Sequence, residues 1–270
     1  MTEKNRISNL LNEYGFTAKK SFGQNFLINE GIINRIVNNM KPEEYDTVIE
    51  IGPGLASLTL PLSKRSKVLY AVDADRDMIK VLNDIFKDAN NVNIVQSDFL
   101  RFEIDKISSK DNRLILGNLP YNITSELLEY LLNKGFKTAG AMVQKEVFDK
   151  LDYKIGKKDN TAMGAFIACS GKLSLVTNVE HSCFDPAPKV ESAFIRIDLE
   201  KHLDFKLYPI FKAMFKDPNK TISNCLKQYP KYKEHVSKLV AMYPDELSSR
   251  ARQLDPNKIL EIATYLLELE

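Results

Sequence analysis

The segment Asn118-Leu119-Pro120-Tyr121 contains groups that could act on the exocyclic amine of an aromatic base. The lone pair of such an amine is delocalised into the ring, so a catalyst must draw the nitrogen toward tetrahedral geometry with acceptors aimed at its N–H bonds. The Asn118 side-chain oxygen and the Leu119 carbonyl could be those acceptors. Pro120 fixes the chain direction, and the Tyr121 ring could stack on the base. A plain Asn-Pro turn after a strand is the alternative.

A glycine pair and two aspartates form a second group of candidate residues. Gly52 and Gly54 in EIGPGLASLT allow a tight turn and the close approach of a ligand. Asp73 and Asp98 each follow one of the next two strand-like runs, where a carboxylate could accept from ribose hydroxyls or face an adenine amino group. Taken singly, each is more simply a loop residue or a helix N-cap. Together, the three features favour S-adenosylmethionine as the ligand, because its adenosine group carries no phosphate.

An incomplete dinucleotide fingerprint weakens the alternative of a nicotinamide-dependent oxidoreductase. The third glycine of G-x-G-x-x-G seats a pyrophosphate on a helix N-terminus. Here that position is Ser57, and Pro53 separates the two glycines.

The histidines and cysteines do not predict a metal site. His181 and Cys183 form the nearest pair, but no further ligands lie at suitable spacing. The odd number of widely spaced cysteines fits reduced thiols in a cytosolic protein. We expect surface or packing roles for the three histidines, His181, His202 and His235. The other two cysteines are Cys169 and Cys225.

Alternating helical and strand-like segments must position these residues. Between residues 28 and 200, the helical segments INEGIINRIVNNM and DRDMIKVLNDIF separate the runs TVIEIG, VLYAVDAD, NVNIVQSD and RLILGN. This alternation predicts βαβ units and a mostly parallel sheet. GAMVQKEV, KLSLVTNVEHS and SAFIRIDL complete seven predicted strands, the last two as an antiparallel pair. The fold class is therefore α/β and Rossmann-like.

The strand signals stop after Leu199, and helix signals replace them. Asp217-Pro218 and Asp255-Pro256 each predict an N-cap followed by a proline in the first helical position. We therefore expect two domains, a ligand-binding α/β domain over residues 1–200 and a small all-α domain over residues 201–270.

Charge and hydropathy limit the possible partners without naming one. The 270 residues carry a formal net charge of only +2, so any RNA-binding patch must be local. Candidate patches are Lys19-Lys20, Lys154 to Lys158, and Lys227 to Lys233 with Tyr229 and Tyr232 interleaved, although solvated helix faces explain them equally well. No apolar run approaches a membrane span, and the first residues lack a signal-peptide core. We expect a cytoplasmic protein.

Five motifs in order resemble those of the ribosomal RNA adenine N6,N6-dimethyltransferases: KKSFGQNFL, EIGPGLASLT, QSDF, GNLPYNITS and CFDPAPKVESA. Their order and spacing cover residues 8 to 265. KTISNCL and LSSRARQLDPNKILEIA resemble the helical domain of the bacterial small-subunit type. The resemblance implies an S-adenosylmethionine-dependent methyltransferase that dimethylates two adjacent adenosines in a hairpin loop near the 3′ end of small-subunit RNA. It also implies a small ribosomal subunit as partner, no metal, and a monomer.

The resemblance also implies roles for individual residues. Asn25 and Leu27 would close over the cofactor. Gly52 would contact its methionine part, and Asp73 would hold its ribose. Asp98 and Asn118 would contact the cofactor from the third and fourth strand ends. On the base side, Phe184 would be a second aromatic clamp opposite Tyr121, with the flipped adenine between them.

Some positions depart from the family pattern. Asp73 replaces the usual glutamate. Ala56 occupies the position of the usual second small residue after GPGL, which is a mild change. Pro218-Asn219 replaces a basic pair. The last change affects expected RNA contacts more than chemistry. Two alternatives stay open: an antibiotic-resistance methylase of large-subunit RNA, and a ribosome assembly factor that keeps the fold without catalysis.

Overall fold

The computed structural model describes residues 1–18, 24–121 and 123–270. Lys19-Lys20 and most of the KKSFG segment therefore lie outside the described residues. Two compact units are distinguished. One comprises Met1–Lys145 and Ser174–Asp198, and the other comprises Glu146–Leu173 and Leu199–Glu270. The functional division at residue 200 stays a prediction.

Short strands build the first unit. In the part of the chain that the structure describes they are β1 (Phe26–Leu27), β2 (Thr47–Ile51), β3 (Leu69–Asp73), β4 (Val92–Gln96), β5 (Arg113–Asn118), β6 (Thr138–Gln144), β7 (Gly171–Val179), β8 (Phe184–Asp185) and β9 (Ser192–Leu199). Seven of them form one sheet in the order β4-β3-β2-β5-β6-β9-β7, and β1 pairs with β8 in a separate ladder. The predicted seven-stranded α/β sheet is confirmed.

The sheet is parallel from β4 to β6, and β9 runs antiparallel to β6. β2 is buried throughout and β5 is buried up to its last residue, as their apolar sequences require for central strands. The strand order reverses between β2 and β5. At such a point the two following connections run to opposite faces, which leaves a crevice at the carboxyl ends of the strands.

The helices of the described chain are α1 (Glu3–Tyr14), α2 (Glu30–Met40), α3 (Thr59–Ser63), α4 (Arg76–Ile85), α5 (Thr124–Lys134), α6 (Lys145–Leu151), α7 (Ala162–Ser170), α8 (Tyr208–Met214), α9 (Ile222–Leu226), α10 (Pro230–Lys233), α11 (Val236–Met242), α12 (Pro244–Ser248) and α13 (Pro256–Glu268). None of them is long and apolar enough to span a bilayer. In α2, the buried stripe of Ile33, Ile36, Val37 and Met40 belongs to the same core cluster as Val48 of β2 and Leu114 of β5.

The second unit is helical around one aromatic ring. Phe166 of α7 makes edge-on contacts with Tyr208 and Phe211 of α8, each at 5.4 Å between ring centroids. α13 begins as predicted, because Asp255 caps it by accepting from Asn257 N at 2.9 Å.

The same prediction is wrong at Asp217. Its side chain accepts from Asn219 N at 2.9 Å, and its carbonyl accepts from Lys220 N, so the Asp217-Pro218 pair opens a single turn. The next helix, α9, begins four residues later, and Thr221 is its N-cap.

Candidate functional site

A cavity of about 200 Å³ lies at the carboxyl ends of the central parallel strands. All six residues predicted to hold the cofactor line it: Asn25, Leu27, Gly52, Asp73, Asp98 and Asn118. They come from five separate parts of the chain: β1 with its preceding residue, and the ends of β2, β3, β4 and β5. The parallel sheet brings them together because all its parallel strands end at the same edge.

The turn after β2 holds the side chain of Asp73, the last residue of β3. Gly52 and Gly54 have φ of 64° and 53°, a left-handed conformation that favours glycine. Gly52 N donates to the Val72 carbonyl at 3.0 Å, and Gly54 N donates to Asp73 Oδ2 at 3.3 Å. The carboxylate is therefore oriented before any ligand binds.

The two aspartates differ in environment. Burial raises the pKa of Asp73 to about 6, although its Oδ1 accepts from Asp75 N at 2.9 Å. Asp98 is half exposed and caps the 3₁₀ turn Phe99–Arg101 through a hydrogen bond from Leu100 N at 3.1 Å. Asp98 is therefore an N-cap, as the simpler alternative predicted, and it also lines the cavity.

Close approach of two strands fixes the position of Asn118. A Cβ at Gly117 would lie 2.2 Å from the Ile51 carbonyl oxygen, so only glycine fits immediately before this asparagine. Asn118 Nδ2 then donates to the Asn25 carbonyl at 2.7 Å. This bond uses the donor half of the amide, which leaves Oδ1 as the half of Asn118 that can accept a hydrogen bond.

The predicted base-side residues stand beside the cavity, and they are not among its lining residues. Leu119 is 2% exposed, and its neighbour Pro120 lines the wall. The Tyr121 hydroxyl lies 2.6 Å from Ser192 Oγ. Phe184 is 3% exposed and pairs with Leu27 in the β1–β8 ladder. Phe184 is therefore paired through the β1–β8 ladder with Leu27, a residue that lines the cavity. The stacking role of Phe184 stays a prediction.

Comparison with known proteins identifies the family. The model of the family described as Ribosomal RNA adenine dimethylase matches residues 15–266. The chain belongs to this family. Relatives named Ribosomal RNA small subunit methyltransferase A include that of Bacillus licheniformis, 32% identical over 96% of this chain and 93% of the relative. The relative of that name from Neisseria gonorrhoeae is 36% identical over 93% of this chain and 97% of its own length.

Solved structures of this dimethylase fold agree. A dimethyladenosine transferase from Plasmodium falciparum superposes with a TM-score of 0.75 at 23% identity, covering 90% of this chain and 98% of that one. The 23S rRNA methyltransferase ErmE gives 0.67 at 23% identity, covering 90% and 99%. At this identity the two structures show the fold alone. The resemblance derived from the motifs is confirmed.

Glu50 is a charged residue of the cavity wall that sequence reasoning missed. It lies in β2, lines the cavity and is 2% exposed. Its Oε2 has no hydrogen-bond partner among the residues that the structure describes. Burial, with a contribution from the nearby Asp73 charge, raises the pKa of Glu50 to about 8. The available signal was a charged residue inside the otherwise apolar run TVIEI.

The basic cluster of the helical unit is only partly available to a nucleic acid. Tyr232 is 4% exposed, and Lys231 pairs with Glu270 at 2.7 Å. Lys227 and Lys233 are exposed. Lys154 is likewise paired, with Asp152 at 2.8 Å. Phosphate contacts by these lysines, by the Lys154 to Lys158 segment and by Lys19-Lys20, which lie outside the described residues, stay a prediction.

Proposed function

We propose that this chain transfers methyl groups from S-adenosylmethionine to N6 of two adjacent adenosines, in a hairpin loop near the 3′ end of small-subunit ribosomal RNA. Family membership supports the reaction class, and the names of the relatives that are 32% and 36% identical support the small subunit. The observation that carries the chemistry is the bond from Asn118 Nδ2 to the Asn25 carbonyl, because it selects which atom of the amide meets the substrate.

The cavity suits this cofactor. The unpartnered Glu50 Oε2 calls for a donor, and the ammonium of the methionine part is one. Asp73, held by two backbone N–H groups, would accept from ribose hydroxyls, and Asp98 would face the adenine amino group. Gly52 leaves room beside the Asn118 carbonyl, since a Cβ there would stand 3.8 Å from that oxygen. When bound, the cofactor supplies an electrophilic methyl group on a sulfonium.

Asn118 and Leu119 would then act on the adenine amine. Their two oxygens accept from the N6 hydrogens and draw the lone pair out of conjugation toward the methyl donor. Each transfer forms an N–C bond and breaks an S–C bond, and the proton leaves N6 for water after transfer. No titrating base is needed, because the methylated amine is strongly acidic. Tyr121 and Phe184 would hold the extruded base by stacking.

Methylation of small subunits that lack the modification tests the proposal. We expect wild-type protein to incorporate labelled methyl groups and Asn118→Ala to lose about 100- to 1,000-fold in rate, the usual cost of removing a preorganised acceptor or donor. Asn93→Ala is a matched control, because Asn93 is also a strand asparagine whose Nδ2 donates to a backbone carbonyl, that of Leu69. Equal activity of Asn118→Ala and Asn93→Ala would refute the catalytic assignment.

The same assay separates the alternatives. A wild-type protein that binds small subunits without methylating them would be an assembly factor. Methylation of large-subunit RNA would identify a methylase of the resistance type. We further propose that the protein acts as a monomer in the cytoplasm, which size-exclusion chromatography and cell fractionation can check.

A further inference from the structure

Tyr121 is held from outside its own loop by a buried serine. Its hydroxyl lies 2.6 Å from Ser192 Oγ, a normal length for an O–H···O bond. Ser192 is 0% exposed and is the first residue of β9. Burial raises the pKa of the Tyr121 phenol, so the bond joins two neutral hydroxyls at physiological pH.

Ser192 is the fixed partner of this pair. It stands opposite Gln144 in the antiparallel β6–β9 ladder, and just before it Lys145 N donates to the Glu191 carbonyl at 3.0 Å. Tyr121 instead stands in the loop between β5 and α5. The bond therefore fixes the loop tyrosine to the sheet, two strands away from β5 in the order β5-β6-β9.

A ring fixed at both ends has a defined plane. The Tyr121 backbone holds one end, and Ser192 holds the hydroxyl end, so the ring cannot swing about χ1 without breaking the bond. Stacking alone tolerates sliding of a base across a ring, whereas in-line transfer does not, since misplacement by about 1 Å can cost about 100-fold in rate. The hydrogen bond of the Tyr121 hydroxyl fixes the position of the ring, and with it the position of a base stacked on that ring.

We infer that Ser192 is a positioning residue for methyl transfer, which acts through the Tyr121 hydroxyl to set the adenine amine against Asn118. This inference rests on the proposed function. It applies most strongly to the second methylation. After one transfer N6 retains a single N–H bond and carries a bulkier substituent, so the amine has one acceptor contact fewer to orient it.

The test uses Ser192→Ala, Tyr121→Phe and the double variant in the full-length protein, with undermethylated small subunits as substrate. Loss of one hydrogen bond predicts a kcat lower by about 2- to 10-fold for either single variant. We also expect a higher ratio of N6-monomethyl to N6,N6-dimethyl adenosine in the product and an unchanged Kd for S-adenosylmethionine. Because both substitutions remove the same bond, the double variant should be no slower than the slower single variant.

Ser66→Ala is the matched control, since Ser66 is also a buried serine of the first unit and its hydroxyl donates to the Leu62 carbonyl at 2.8 Å. The inference is overturned if Ser192→Ala gives the same kcat and product ratio as Ser66→Ala, or if the effects of the two single variants multiply in the double variant. Tyr121→Phe removes the bond from the loop side, so a folding defect in Ser192→Ala leaves the test intact. If wild-type protein itself did not methylate the subunits, the proposed function would fail, a separate outcome.

Discussion

Replacing Glu50 by glutamine should stabilise the free protein and weaken cofactor binding. Burial raises the pKa of Glu50 to about 8 from an ordinary 4.5. Between these values the folded state binds a proton that the unfolded state has released, so stability falls as pH rises, by about 1.4 kcal/mol per pH unit. At a pH of about 7.5 the accumulated penalty is at most about 4 kcal/mol, and Glu50→Gln removes it.

Urea unfolding of both proteins from about pH 5 to about pH 8 measures this difference. We expect Glu50→Gln to exceed wild type by less than about 1 kcal/mol at the acid end and by several kcal/mol at the other. Asp73 is present in both proteins, so its own titration near pH 6 largely cancels in the difference. Glu13→Gln, at an exposed glutamate of α1, should show no such slope. A gain that is independent of pH, or no gain, would refute the account of a buried carboxyl whose Oε2 has no partner among the described residues.

Calorimetric titration with S-adenosylmethionine measures the other half of the prediction. A hydrogen bond to a charged group contributes about 1.5–3 kcal/mol, so Glu50→Gln should raise the Kd by about 10- to 100-fold. If affinity were unchanged, Glu50 would not contact the cofactor. A residue that destabilises the free protein and strengthens ligand binding is the pattern expected of a functional site.

Three further predictions concern other parts of the fold. With a pKa near 6, Asp73 should lose its ribose contact as pH falls, so the Kd for S-adenosylmethionine should rise by up to about tenfold per unit below that pH in titrations of wild type. Asp73→Asn should remove this component and leave only the pH dependence that Glu50 causes. Gly117→Ala should lower the free energy of unfolding by about 1–3 kcal/mol or more in urea, because the new Cβ collides with the Ile51 carbonyl; an unchanged midpoint would contradict the close approach. Asp255→Ala should cost about 0.5–2 kcal/mol through loss of the α13 cap, and thermal unfolding checks it against wild type.

Hydropathy periodicity and the residues at the strand ends predicted the parallel strands and the sheet edge at which the site lies. The parallel strands were found from their apolar runs, and because parallel strands end at one edge, Asp73, Asp98 and Asn118 had to meet there. The residue roles came from the motif resemblance, and all six cofactor candidates line the cavity.

Long-range partners could not be predicted in the same way. Ser192 lies 71 residues from Tyr121, and the Glu50 Oε2 is recognised as unpartnered only when its surroundings are known. The two Asp-Pro pairs show that the start of a helix also depends on the residues that follow the cap. The Asp255 pair precedes apolar residues at helical spacing, which propagate the helix, whereas the turn at Asp217 gives way to a second cap, Thr221, after four residues.

The bond between Asn118 and Asn25 has a consequence for how this site is mapped by mutation. The acceptor at residue 25 is a main-chain carbonyl, which every amino acid possesses. A substitution scan can therefore replace the side chain at this position many times and never remove the contact that orients the Asn118 amide. Tolerance of substitution at residue 25 would measure the side chain alone, and the contribution of this position to catalysis would be visible only to chemistry that alters the peptide bond itself.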